Sequence, residues 1–141
     1  MTAIRRTAIC LLALAAGALA FAPPVPSGTV HFYRYLLKVG KAAHPIISCD
    51  AFPIARMQNG RVYTMQIPAG RHAIATSENP TGIEVDIEAG KEYFIRIDYA
   101  TNASFAIRAT PVVVPVEVGR EETKKLRPLD GWLVEDATCG K

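Results

Sequence analysis

The stretch "IEVDIEAGKEYFIRIDYA", residues 83–100, decides the fold class. Ile83, Val85 and Ile87 alternate with acidic residues, and the alternation resumes after a short Ala-Gly segment. A period of two places apolar side chains on one face of a strand and polar side chains on the other. Similar short segments, separated by turn residues, recur from residue 28 onward. We therefore predict an all-β fold, a small antiparallel β-sandwich of about seven to eight short strands.

Three turn signals separate the predicted strands. "IPAGR" at residues 67–71 is echoed by "IEAGK" at residues 87–91, and we interpret the echo as turn geometry used twice and not as a binding motif. Gly70 and Gly90 supply the positive φ that such turns need, so each is predicted to close a hairpin. The pair Asn59-Gly60 predicts a further hairpin with a type I′ turn.

The C-terminal third contains an edge strand and the only helical pattern. Pro111 and Pro115 lack the N–H that a ladder requires, so residues 112–118 are predicted at a sheet edge. The pattern does not decide whether the C-terminal tail covers this edge or another chain pairs with it. The charged segment at residues 120–128 predicts a short surface helix.

Residues 1–20 have the layout of a secretory signal peptide. Two arginines precede an apolar run of residues 7–19, which is shorter than the roughly 20 residues that cross a bilayer. We expect cleavage after Ala20, a Pro-rich leader at residues 21–27 and a single domain at residues 28–141. No membrane span is expected after cleavage.

Two further features of the sequence narrow the location and the partners. Cys10 stands near the start of the apolar run, not at its end as in a bacterial lipoprotein, so the expected location is periplasmic or secreted. The signal peptide removes two arginines and no acidic residue, which lowers the formal charge from +3 to +1. This near-neutral balance argues against a nucleic-acid partner.

Cys49 and Cys139 survive processing and are predicted to form a disulfide. Two free buried thiols, or a nucleophilic Cys49 beside His44 in a small thiol-dependent hydrolase, are the alternatives.

The histidines, at positions 31, 44 and 72, lie on separate segments, so no metal site or cofactor is predicted. His72 is expected to flank its turn with a half-exposed ring. Phe94, on the polar face of its strand, is the best candidate for an exposed aromatic contact.

Three segments together resemble the bacterial family called domain of unknown function 2846. They are "PIARMQNGRVYTMQIPAGRHAI" at residues 53–74, "IEVDIEAGKEYFIRID" at residues 83–98 and "VVPVEVGREETKKLRPL" at residues 113–129. The resemblance covers roughly residues 28–129. It implies an exported β-sandwich similar to transthyretin-like or carboxypeptidase-regulatory-like modules, commonly found at the bacterial envelope, with no defined catalytic residues.

The functional expectation is a non-enzymatic, exported module that binds an envelope protein or a glycan through a strand edge or through loops at one end. The alternatives are the thiol-dependent hydrolase and a structural spacer with no ligand. A disulfide between the two cysteines would remove the nucleophile, whereas a free Cys49 thiolate would favour the enzyme.

Overall fold

The computed structural model describes residues 22–38, 40–101, 106–135 and 138–140. The predicted signal peptide lies outside these residues. The described part contains one helix, α1 (Val116–Thr123), a 3-10 turn (Gly131–Leu133) and strands. The strands are β1 (Ser27–Tyr33), β2 (Ile46–Cys49), β3 (Phe52–Arg56), β4 (Arg61–Pro68), β5 (Gly70–Thr76), β6 (Asn79–Ile87), β7 (Glu92–Thr101), β8 (Ile107–Val114) and β9 (Arg127–Pro128). None of the helices in these ranges is long and apolar enough to cross a membrane.

The strands form two sheets, with orders β8-β7-β1-β4-β9 and β3-β2-β5-β6. The predicted all-β sandwich with one short helix is confirmed. The described residues hold nine strands, against about seven to eight predicted. One of the nine is the two-residue strand β9, which pairs with β4. The pairing is mixed and not wholly antiparallel, since β1 pairs with β7 in parallel and β9 pairs with β4 in parallel.

The core lies between the sheets and follows the period of two. Val30 and Phe32 of β1 and Ile95 and Ile97 of β7 are almost fully buried on one side. Ile47 of β2 packs with them from the other sheet. Burial of this kind, at roughly 25 cal/mol per Å² of apolar surface, is the main stabilising contribution.

The two Ala-Gly turns are sheet-to-sheet connections. Gly70, with φ of 138°, lies where the chain leaves β4 in one sheet and enters β5 in the other. Gly90, with φ of 76°, lies where it returns from β6 to β7. The prediction that each closes a hairpin is therefore wrong, because the strands on either side of each turn pair with other partners.

The Asn59-Gly60 turn also joins different sheets, β3 to β4, so this predicted hairpin is wrong as well. A type I′ turn needs positive φ at both central residues. Among the described non-glycine residues only Asp50 and Ala51 have positive φ. Asn59 instead bonds to the Leu37 backbone, accepting from its N–H at 3.0 Å and donating to its carbonyl at 2.8 Å.

Helix α1 begins at Val116, four residues before the predicted start, and packs across β7. Gly119 brings its backbone onto the Phe94 ring. Phe94 is only 2% exposed, so its predicted role as an exposed aromatic is wrong. The helix covers the sheet face on which alternation placed Phe94. The aromatic side chains that do face solvent include Trp132, which is 75% exposed, and Phe52, which is 44% exposed.

The edge prediction near the C-terminus is confirmed for β8, which ends its sheet. Only residues 112–114 of the predicted stretch are strand, because α1 begins at Val116. The described tail does not join this edge. It lies along β3 instead, through a bridge between Ala55 and Val134 and a hydrogen bond from Glu135 N–H to the Ile54 carbonyl.

Glu122 fixes α1 to the sheet. Its carboxylate accepts hydrogen bonds from the Tyr33 hydroxyl and from Arg96 Nη1 at 3.1 Å. Burial raises the pKa of Glu122, but hydrogen bonds from Tyr33, Tyr35 and Arg96 outweigh it, and the pKa lies below its usual value. Burial, followed by the bond to Glu122, raises the pKa of Tyr33.

This geometry predicts an acid-dependent loss of stability. A depressed carboxyl pKa contributes stability that is complete above the unfolded value, about 4.3, and is lost as the pH falls through the lower folded value. Glu122→Gln should lower the free energy of unfolding by about 1 to 3 kcal/mol at neutral pH. It should also lose less stability than the wild type on acidification. Urea unfolding between about pH 6 and about pH 3 measures both effects.

The matched control is Glu121→Gln, since Glu121 is exposed and pairs only with Lys124 among the described residues. It should leave both the neutral stability and the acid slope nearly unchanged. Equal slopes for Glu122→Gln and the wild type would contradict the assigned role.

Candidate functional site at the Cys49–Cys139 bridge

A disulfide joins Cys49, the last residue of β2, to Cys139 in the C-terminal tail. Their Cα atoms are 5.1 Å apart, within the range that a disulfide spans. Both are buried, with exposures of 0% and 3%. The bond predicted from the sequence thus closes a separation of 90 residues and holds the tail against the sheet.

Directly after Cys49, a two-residue turn connects β2 to β3. Asp50 and Ala51 have φ of 50° and 70°, the left-handed region that non-glycine residues seldom adopt. Such residues persist where the surroundings fix them, and they cluster at functional sites. Here Asp50 is fixed by its Oδ1, which accepts a hydrogen bond from the Ala73 N–H at 2.9 Å. The turn therefore directs Oδ2 towards the disulfide.

His72, on β5, occupies the space beside this carboxylate. Its Nδ1 is 2.7 Å from Asp50 Oδ2, and its Nε2 is 2.7 Å from the Pro68 carbonyl oxygen. The ring is 7% exposed, so the predicted half-exposed histidine is wrong. Both ring nitrogens face hydrogen-bond acceptors. These two contacts fix the ring between the Asp50 carboxylate and the Pro68 carbonyl.

The sulfur of Cys139 completes the group. It lies 3.4 Å from His72 Nδ1 and 3.9 Å from Asp50 Oδ2. Burial raises the pKa of Asp50, but the hydrogen bonds from Ala73 and His72 and the charge of His72 bring the pKa below its usual value. The carboxylate is therefore held ionised next to the bridge.

The four side chains form a compact set of potential metal ligands. One ligand atom from each of Cys49, Asp50, His72 and Cys139 can be chosen so that all lie within 4.8 Å of one another. A cavity of about 370 Å³ reaches this set, and it is lined by Val25, Pro68, His72, Thr138, Cys139 and Gly140. The group thus combines thiol, imidazole and carboxylate chemistry with an approach from solvent.

The structure brings together only part of what the sequence suggested. His44, proposed as a base for Cys49, is exposed in the loop before β2 and is not a member of the cluster. The histidine beside the bridge is His72. The signal that could have identified it is the alternation of β5, where His72, Ile74 and Thr76 all point inward.

A second cavity, of about 500 Å³, opens on the outer face of the β3-β2-β5-β6 sheet. Small or uncharged side chains line it, among them Ser48, Ala73, Ala75 and Thr81. None of its lining residues has a titratable side chain. This surface can hold a ligand by contact and by hydroxyl hydrogen bonds.

No protein-family model, no curated protein and no solved structure matches the chain. The resemblance to domain of unknown function 2846 stays a prediction.

Proposed function

We propose that the chain is an exported, non-enzymatic β-sandwich of the bacterial envelope that binds a protein or a glycan. The outer cavity of the β3-β2-β5-β6 sheet carries this proposal. Its volume, about 500 Å³, is typical of ligand sites. Because its lining residues offer no acid or base to activate a nucleophile, the surface suits binding better than chemistry.

The disulfide supports the exported location and argues against the thiol-dependent hydrolase. Disulfides form and persist in oxidising compartments such as the periplasm and the cell exterior. The sulfur of Cys49 is bonded to that of Cys139, so the thiolate that a thiol enzyme needs is absent in this form. The exposed position of His44, outside the cluster, removes the base assigned to that mechanism.

The cavity can be tested by filling it. Ala73 is exposed on β5 and lines the cavity, so Ala73→Trp should occupy the space without disturbing the core. We expect wild-type protein, recovered from the exported fraction with its N-terminus determined, to co-sediment with isolated peptidoglycan or to bind solubilised envelope proteins. Ala73→Trp should weaken that binding at least about tenfold, equivalent to about 1.4 kcal/mol.

Arg71→Trp provides the matched control, since Arg71 lies two residues earlier on the same face of β5 but outside the cavity lining. It should bind as the wild type does. Co-sedimentation with peptidoglycan would identify a glycan partner, and binding to solubilised envelope proteins would identify a protein partner. Binding of Ala73→Trp at wild-type strength, or recovery of the chain unprocessed in the cytoplasm, would contradict the proposal.

A further inference from the structure

We infer that the side-chain cluster around the disulfide is a redox-gated metal site, which binds Zn²⁺ once the bridge is reduced. Its ligands are two thiolates, one imidazole and one carboxylate, from Cys49, Cys139, His72 and Asp50. This inference is independent of ligand binding at the outer cavity, and it concerns the opposite, inward-facing side of the same sheet.

The donor set suits Zn²⁺. Zinc is bound in proteins by thiolate sulfur, histidine nitrogen and carboxylate oxygen, and structural sites are tetrahedral with four such ligands. Bond lengths of about 2.0 to 2.3 Å place tetrahedral ligand atoms about 3.3 to 3.8 Å apart. The ligand atoms here already lie within 4.8 Å of one another. Small side-chain shifts after reduction are enough to reach that geometry.

The orientation of His72 is the second, independent observation. The Pro68 carbonyl oxygen can only accept a hydrogen bond, so Nε2, at 2.7 Å, carries a proton and donates it. A histidine that binds a metal commonly donates its other N–H to a backbone carbonyl or a carboxylate, which fixes the ring. Nδ1 is therefore the nitrogen that faces the two sulfurs and Asp50.

Asp50 completes the donor set by its position. Its Oδ2 lies 2.7 Å from His72 Nδ1, and Cys139 Sγ lies 3.4 Å from the same nitrogen. Oxygen, nitrogen and sulfur therefore converge on one point, where they can share a cation once the bridge is reduced.

Access and local fixation favour the same site. The cavity of about 370 Å³ includes His72, Cys139 and Gly140 in its lining, which gives an ion and a reductant an approach. Asp50 Oδ1 remains bound to the Ala73 N–H, so the carboxylate is held in place while Oδ2, which faces His72 Nδ1, can coordinate the ion. Three of the four ligands lie on β2, its turn or β5, adjacent strands of one sheet.

Reduction precedes metal binding. A dithiol, such as that of a thiol–disulfide exchange protein, attacks the Cys139 sulfur and expels Cys49 as a thiolate. The second thiol of the reductant then displaces Cys139, so the reductant leaves as its own disulfide and both cysteines become thiols. Zn²⁺ replaces the two thiol protons, which are released to solvent, and binds the imidazole through Nδ1.

Metal titration of the reduced protein tests the inference. The full chain, with Cys10→Ser in every sample, is reduced with a phosphine and titrated with Co²⁺ as a spectroscopic probe, then with Zn²⁺. We expect one Co²⁺ per chain with thiolate-to-metal charge-transfer absorption, displaced by one Zn²⁺. The oxidised chain should show no such absorption. Zn²⁺ should also raise the melting temperature of the reduced chain, and it should leave that of the oxidised chain unchanged.

His72→Gln and Asp50→Asn should each weaken Zn²⁺ binding at least about tenfold. His44→Gln is the matched control, since His44 is exposed and outside the cluster, and it should bind as the wild type does. Circular dichroism establishes that each variant is folded. The inference is overturned if the reduced, folded wild type binds no metal. It is also overturned if both ligand variants bind Zn²⁺ as tightly as the wild type, which would mean that the thiols act alone.

Discussion

Replacing both Cys49 and Cys139 with alanine is expected to lower the free energy of unfolding by about 4 to 5 kcal/mol. The bond closes a separation of 90 residues, and its removal restores the conformational freedom of that loop in the unfolded chain. The loss is a large part of the total stability of a single domain, about 5 to 15 kcal/mol. Urea unfolding of the oxidised wild type and the double variant measures the difference.

Reduced wild-type protein in the presence of a chelator supplies the control for this comparison. It retains both sulfur atoms but lacks the bond and any metal, so its stability should match that of the double variant to within about 1 kcal/mol. A double variant as stable as the oxidised wild type would show that the tail is held by its other contacts, the buried Leu133 and the bridge between Val134 and Ala55.

The strand faces could be predicted from the sequence because alternation is local. Ile95 and Ile97 are buried as the period of two requires, and the same pattern on β5 extends to His72. Burial on one face depends only on the pleat of the strand and on the presence of a core. The all-β sandwich could therefore be predicted without knowing which strand pairs with which.

The pairing of the strands could not be predicted in the same way. β1 lies between β4 and β7, antiparallel to one and parallel to the other, and these partners are distant in sequence. Gly70 and Gly90 have the positive φ that was predicted for hairpin turns, yet each connects two sheets. A glycine specifies local φ, whereas the partner of the next strand depends on long-range contacts.

One part of the candidate site could be predicted from the sequence, whereas the other part depends on long-range contacts. The disulfide followed from the cysteine count and the expected compartment. The cluster needs the turn at Asp50, the inward face of His72 and the arrival of Cys139, which no spacing between these residues encodes. Nearness in sequence pointed to His44, but β5 pairs with β2 and places His72 beside the bridge instead.

Gly119→Ala is expected to destabilise the protein by about 1 to 3 kcal/mol, although alanine is the better helix former. In an exposed helix interior this change stabilises by about 1 kcal/mol. Here an added Cβ would overlap the Phe94 ring and Cβ, because the Gly119 backbone lies directly on that side chain.

Gly131→Ala is the matched control, since its Cβ would meet no atom within 4 Å, and it should be nearly neutral. Phe94→Ala in the same chain removes Cγ and the ring, so it should reduce the cost of Gly119→Ala, as measured by a double-mutant cycle of urea unfolding. Independent, additive effects of the two substitutions would place α1 elsewhere than on Phe94.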